Sequence, residues 1–278
     1  MSCGWSQLLS ILPANLRQEV DRRKGELLQE IRLRVGQAVT LVIKGRNSCL
    51  SQKSAIEDLQ FVVNGASRYS PWTAATVASG YLTAPGGHRI GLCGEAVIRD
   101  GIMTGIGTLR SLNIRIARDF PGISGNLGLR QDSILDIGPP GSGKTTLLRD
   151  IIRSRSHREA IAVVDERGEL FPSACDFSTG LHTDIFTGCS KSQGIEMLLR
   201  TMSPCTIAVD EITAESDCNA LLHAGWCGVK LLATAHAANI SDLLARPIYQ
   251  PLVTGGLFDT VVILQQDKSW RMERMAWK

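Results

Sequence analysis

The chain has 278 residues, 44% hydrophobic and 21% charged, which suits one large or two modest globular domains. Thirty basic against 27 acidic residues leave a net charge of +3, so no large nucleic-acid footprint is expected. The eight cysteines form no C-x-x-C pair or zinc-like set, no run reaches membrane-spanning length, and Met1–Trp5 lacks the charged and apolar blocks of a leader, so a cytoplasmic protein is expected, attached to a membrane only through a partner.

In chain order, Leu8, Leu9, Ile11 and Leu12 can line a short helix, and Pro13 suits the first turn of another carrying Leu16 and Val20. Glu30–Val35 alternates polar and apolar residues as a half-buried strand does; Val39–Ile43 is a second strand, with Gly36 between them. Ser54-Ala-Ile-Glu57 is a capping-box pattern opening a helix through Asn64, and Ser70-Pro71 has the chemistry to start another. Residues 80–107 hold eight of the 27 glycines, which implies tight β-turns around short strands at 89–92 and 95–98. The first half therefore predicts an α+β domain over 1–108. Ser111–Arg118 reads as a passage between domains, within a linker at 109–124.

From residue 125 the pattern changes. Apolar strands at 133–137, 161–164, 206–209, 229–233 and 260–264, with a terminal one at 271–277, alternate with helices near 145–155, 194–202, 214–224 and 241–246. Such alternation implies a parallel sheet whose strand ends share one edge.

The most informative stretch joins the first strand and first helix of this region. Gly138-Pro139-Pro140-Gly141-Ser142-Gly143-Lys144-Thr145 fits G-x-x-x-x-G-K-[ST], with Thr146 continuing into the helix. A polyphosphate needs many converging donors. Glycines let backbone N–H groups turn inward, and the helix start adds unpaired N–H groups and positive dipole. Lys144 can reach the β and γ oxygens of ATP, and the Thr145 hydroxyl can ligate Mg²⁺.

Three further strand ends carry chemistry. Thr206-Ile-Ala-Val-Asp210-Glu211 ends in two acids: Asp210 can hold Mg²⁺ through water, and Glu211 can orient the attacking water. Ala162-Val-Val-Asp165-Glu166-Arg167 ends another strand, making Glu166 a competing base unless Arg167 merely neutralises it. Ala233-Thr-Ala-His236 places Thr234 or His236 to sense the γ-phosphate. Arg115 and Arg118, ahead of this region, are candidates for an arginine supplied late to the phosphate tail, although plain surface arginines fit equally.

Glu30-Ile-Arg-Leu-Arg, Gly80–Gly94, Ser111–Arg118, Gly138–Asp150, Val163–Glu169, Leu199–Pro204 and Ala233–Ala237 together resemble the stage III sporulation protein AA family, in order over nearly the whole chain. The resemblance implies a mother-cell ATPase related to type II and type IV secretion and pilus motors. It implies an α/β fold: a C-terminal RecA-like P-loop ATPase with a mainly parallel sheet at 125–278, preceded by the smaller α+β domain. It also implies assembly with itself as a ring, commonly a hexamer, on the cytoplasmic face of a membrane channel built of other stage III components. Glu166 then occupies the acidic-box position, Glu211 the Walker B glutamate and His236 the histidine box. Thr213-Ala-Glu-Ser departs from the Gly and further acids usual in the family. Other readings are a nucleic-acid-stimulated RecA-like ATPase, an ABC-type subunit suggested by Ser192-Gln193-Gly194, and a scaffold that binds nucleotide without turnover.

Overall fold

The structure, a computed structural model, describes residues 4–24, 26–67, 80–172, 175 and 177–275. The chain divides into two compact units, Met1–Asp119 with Ser173–Asp176, and Phe120–Pro172 with Phe177–Lys278.

The first unit contains α1 (Trp5–Ile11), α2 (Ala14–Asp21), β1 (Leu28–Arg34), β2 (Ala38–Ile43), β3 (Arg46–Lys53), α3 (Ile56–Ser67), β4 (Tyr81–Thr83), β5 (Arg89–Arg99) and β6 (Ile102–Arg115). Its strands form an antiparallel sheet in the order β3-β2-β1-β6-β5-β4. Ile31, Leu33, Ile90, Leu112 and Ile114 lie in one core with Leu8, Leu12, Leu59 and Val62 from the helices. Period-two alternation thus buries one sheet face.

Several expectations change here. The two strands expected within 89–98 are one, β5, with irregular pairing at Gly94. A Cβ at Gly94 would stand 2.2 Å from the Thr108 carbonyl, so only glycine allows that approach. Residues 109–115, expected to begin a linker, complete β6, because alternating Leu112 and Ile114 pair with β1 and β5. Pro13 stands at the N-cap of α2, one residue before its first turn. The acid that closes the start of α3 is Asp58, which accepts from Ala55 N–H at 2.8 Å, rather than Glu57. The helix expected at Ser70-Pro71 lies outside the described residues.

The second unit contains β7 (Ile134–Ile137), α4 (Lys144–Arg155), β8 (Ile161–Asp165), β9 (Thr183–Thr187), α5 (Lys191–Thr201), β10 (Thr206–Val209), α6 (Glu215–Trp226), β11 (Lys230–Ala235), α7 (Ile240–Ala245), α8 (Gln250–Thr254), β12 (Thr260–Leu264) and β13 (Trp270–Arg274). The strand order is β13-β12-β7-β11-β10-β8-β9, parallel except for β13 at one edge. Strands β7, β8, β10 and β12 are buried along their whole length, as a sheet covered on both faces requires. This is the α/β fold with a mainly parallel sheet. β11 lies between β7 and β10, so one strand separates the loop strand from the acid-bearing one. β9 and α8 have no counterpart among the expected elements. β9 is a half-exposed edge strand without the apolar run that marks its neighbours.

Ser192-Gln193-Gly194 lies in the first turns of α5, where a Cβ at Gly194 would stand 2.5 Å from a Val164 methyl. The glycine there brings the helix against the sheet. Thr213 and Ala214, where the family pattern is broken, lead into α6, and both donate N–H bonds to Asp217 at 3.1 Å.

Candidate functional site

The sheet registers bring four polar residues into one row. Asp136 on β7 pairs with Thr234 on β11. One residue beyond Val209, which pairs with both Ala233 and Val164, Asp210 falls between Thr234 and Asp165. Asp136, Thr234, Asp210 and Asp165 therefore cross four neighbouring strands at their carboxyl ends, and residues in register on a parallel sheet share a face.

Hydrogen bonds tie this row to the glycine loop. Thr145 Oγ1 donates to Asp210 Oδ2 at 2.8 Å, and Thr234 Oγ1 donates to Asp210 Oδ1 at 2.7 Å. Thr234 Oγ1 in turn accepts from Glu211 N–H at 2.8 Å. Burial pushes the Asp210 carboxyl above the usual range, and the two hydroxyls oppose this. Glu211 has φ 50, a left-handed conformation that costs a non-glycine residue roughly 1 kcal/mol, and these bonds hold it there.

Lys144 is buried. Its ammonium donates to the carbonyls of Gly138 at 2.9 Å and Pro139 at 3.1 Å, and to His236 Nδ1 at 3.1 Å. An ammonium cannot accept, so Nδ1 carries the lone pair and Nε2–H donates to Glu211 Oε1 at 3.1 Å. Lys144, His236 and Glu211 form a chain from the loop to the acid. Burial lowers the Lys144 pKa, while the charges of Asp210 and Glu211 raise it. Gly141 and Gly143 have φ of 72 and 104, which frees the loop backbone to turn its N–H groups inward. Pro139, Pro140 and Ser142 complete the loop, and Thr146 lies in the first turn of α4.

Glu166 stands apart from that chain. It pairs with Lys191 at 2.6 Å, and Lys191 also lies 3.8 Å from Asp217. Asp165 is spent on its own turn, accepting from Glu169 N–H at 2.8 Å and Phe171 N–H at 2.9 Å. Arg167 does not neutralise Glu166; it reaches Glu211 at 3.2 Å. Asp165, Glu166, Lys191, Asp210 and Glu211 line one cleft.

Arg115 and Arg118 belong to the first unit. Arg115 is exposed on β6, and Arg118 donates to the Glu26 carbonyl at 3.1 Å.

Three residues of this region escaped the sequence reading. Lys191 is a buried cation in the first turn of α5, where the helix dipole disfavours it, and that oddity was its signal. Asp136 interrupts an otherwise apolar strand. It is 1% exposed, neither carboxyl oxygen has a partner among the described residues, and burial followed by the nearby Asp210 charge holds its pKa well above the usual range. Lys268, in the turn between β12 and β13, donates from Nζ to the Gly141 carbonyl; nothing local in the sequence marks it.

The residues fit magnesium and a polyphosphate. Thr145 and Asp210 offer hard oxygen donors, the set a magnesium ion that keeps its waters prefers. Ser142 Oγ, within the glycine loop, is buried without a partner among the described residues.

The sequence matches the family described as "Sporulation stage III, protein AA" over residues 5–273. It is 34% identical over 283 residues to the stage III sporulation protein AA of Bacillus subtilis, covering 95% of this chain and 92% of that protein. Among solved structures it is similar to the Legionella pneumophila ATPase DotB, with a TM-score of 0.63 at 15% identity, covering 91% of this chain and 76% of that one. It is also similar to the pilus retraction motor PilT, solved with bound ADP, with a TM-score of 0.57 at 13% identity, covering 88% and 76%.

Proposed function

The chain belongs to the stage III sporulation protein AA family, and from that premise we propose that it is a magnesium-dependent ATPase, the subunit of a ring-forming motor docked on the cytoplasmic face of a sporulation channel in the mother cell. The observation that carries this reading is the circuit joining loop to acids: Thr145 to Asp210, Asp210 to Thr234, Thr234 to Glu211, and Glu211 through His236 back to Lys144. Each member has a defined task in phosphoryl transfer, and the groups already touch one another. No helix among the described residues is long and apolar enough to cross a membrane, so membrane components are the proposed docking partners. Nucleic acid is not among the proposed partners.

In this reading the N–H groups of Gly138 and of Gly141 to Thr146, where α4 starts, bind the phosphate tail. Lys144 leaves its carbonyl partners for the β and γ oxygens. Thr145 and Asp210 hold magnesium, which when bound neutralises charge on the phosphate oxygens. Glu211 takes the proton of a water whose oxygen bonds to the γ-phosphorus as the bond to the β–γ bridging oxygen breaks. His236, donating from Nε2, steers that carboxylate. Glu166, held by Lys191, is the second acid at the cleft rather than the base. Arg115, whose side chain is exposed, is the better placed of the two arginines to reach a neighbouring subunit's nucleotide.

Phosphate release from Mg-ATP by the full-length protein tests the proposal. Turnover should disappear in Lys144→Ala, and a Lys144→Ala protein that hydrolyses ATP as fast as the wild type would end it.

A further inference from the structure

Two lysines converge on the glycine loop, and only one belongs to its motif. β12 pairs in parallel with β7, with Ile263 opposite Ile137, so the turn after β12 must emerge beside the loop after β7. Lys268 sits in that turn with φ 73, a left-handed conformation uncommon outside glycine and asparagine. The turn is closed by bonds from Lys268 N–H to the Gln265 carbonyl at 3.1 Å and from Gln265 N–H to the Ser269 carbonyl at 2.9 Å. Its side chain lies along the loop: Cδ is 3.8 Å from where a Cβ on Gly143 would stand, and Nζ donates to the Gly141 carbonyl.

The ammonium groups of Lys144 and Lys268 lie on one loop and repel each other. Among the described residues no carboxylate pairs with Lys268; the adjacent Asp267 is engaged by Ser269 N–H at 2.9 Å and Ser269 Oγ at 2.6 Å. A neutral carbonyl is a weak acceptor for an ammonium. A phosphate oxygen carries full charge and forms a stronger, shorter bond. Lys144 waits in the same manner, on the carbonyls of Gly138 and Pro139. Two like charges held over one loop by its own carbonyls suit a multiply charged anion.

We propose that Lys268 is a second phosphate-binding lysine, which exchanges the Gly141 carbonyl for the tail of a bound nucleoside triphosphate. The inference rests on the nucleotide reading above and adds a residue from the opposite flank of the loop. Because the contact is made in cis, it acts in a single subunit and needs no ring.

The test is calorimetric titration of the full chain with Mg²⁺ and a non-hydrolysable ATP analogue, at two salt concentrations. Lys268→Met should weaken binding about tenfold or more and flatten its salt dependence, and Lys268→Arg should recover most of the affinity. Lys268 is exposed, so the thermal midpoint should not move in either variant. Wild-type-like affinity in Lys268→Met overturns the inference and leaves the nucleotide site standing. Equal losses in Lys268→Met and Lys268→Arg also overturn it, since charge would then not be the cause. A wild type that binds no nucleotide sinks the functional reading itself.

Discussion

The ends of β8 and β10 carry the same tripeptide, Val-Asp-Glu, and use it in opposite ways. At β8 the aspartate is consumed by its own turn, through the N–H groups of Glu169 and Phe171, and the glutamate is tied to Lys191. At β10 the aspartate is held by two hydroxyls, Thr145 and Thr234, and the glutamate stands in a left-handed conformation facing His236 and Arg167. Identical residues one strand apart thus become a structural turn at β8 and, in the proposed mechanism, a reactive edge at β10. Neighbours supplied by other strands make the difference.

The comparison predicts unequal losses when each acid is neutralised. Glu211→Gln should lower turnover by about 10²–10³ with nucleotide affinity kept, because in the proposed mechanism it removes only the proton acceptor. Glu166→Gln should cost no more than about tenfold in the same phosphate-release assay. Equal losses would erase the distinction between the two strand ends. Thr234→Val keeps the volume but removes the hydroxyl that links Asp210 to Glu211, so turnover should fall about tenfold. Asp165→Asn should leave less mark on the chemistry and more on the fold. It turns a donor toward the turn's N–H groups and should cost about 2 kcal/mol, read as a lower denaturation midpoint.

The smallest effect belongs to Asp136. Its folded pKa is raised, so its neutral form costs nothing at low pH, when the unfolded carboxyl is also protonated. As pH rises past the ordinary carboxylate range, the unfolded chain ionises and the folded one does not, and wild-type stability declines until the folded pKa is passed. Asp136→Asn should therefore raise the melting temperature, with a gain that grows as the pH rises above the ordinary carboxylate range. A gain that shrinks over that rise would contradict the burial of this acid beside Asp210.

Much of this site was legible because its signals are local. The glycine run, the strand before it and the helix after it are contiguous, and Asp210, Glu211 and His236 end or follow strands of plain apolar pattern. The partners of Glu166 and Glu211 were not legible. Arg167, adjacent to Glu166 in sequence, turns to Glu211, while Lys191 comes from a helix 25 residues away to hold Glu166. Lys268 reaches Gly141 across 127 residues, a contact that depends on β12 lying beside β7. In the first unit, glycine density implies tight turns around two short strands at 89–92 and 95–98. Only the pairing with β6 shows that Gly94 irregularly interrupts one long strand instead.

The central claim is that the loop from Gly138 to Thr146 binds a triphosphate tail through its amides and Lys144. Equilibrium titration of the wild type and Lys144→Ala with a fluorescent ATP analogue and Mg²⁺ tests it most directly. Saturable binding by the wild type, weakened about a hundredfold or more in the variant, is the predicted result. Equal affinity in both, or no binding by the wild type, would contradict it.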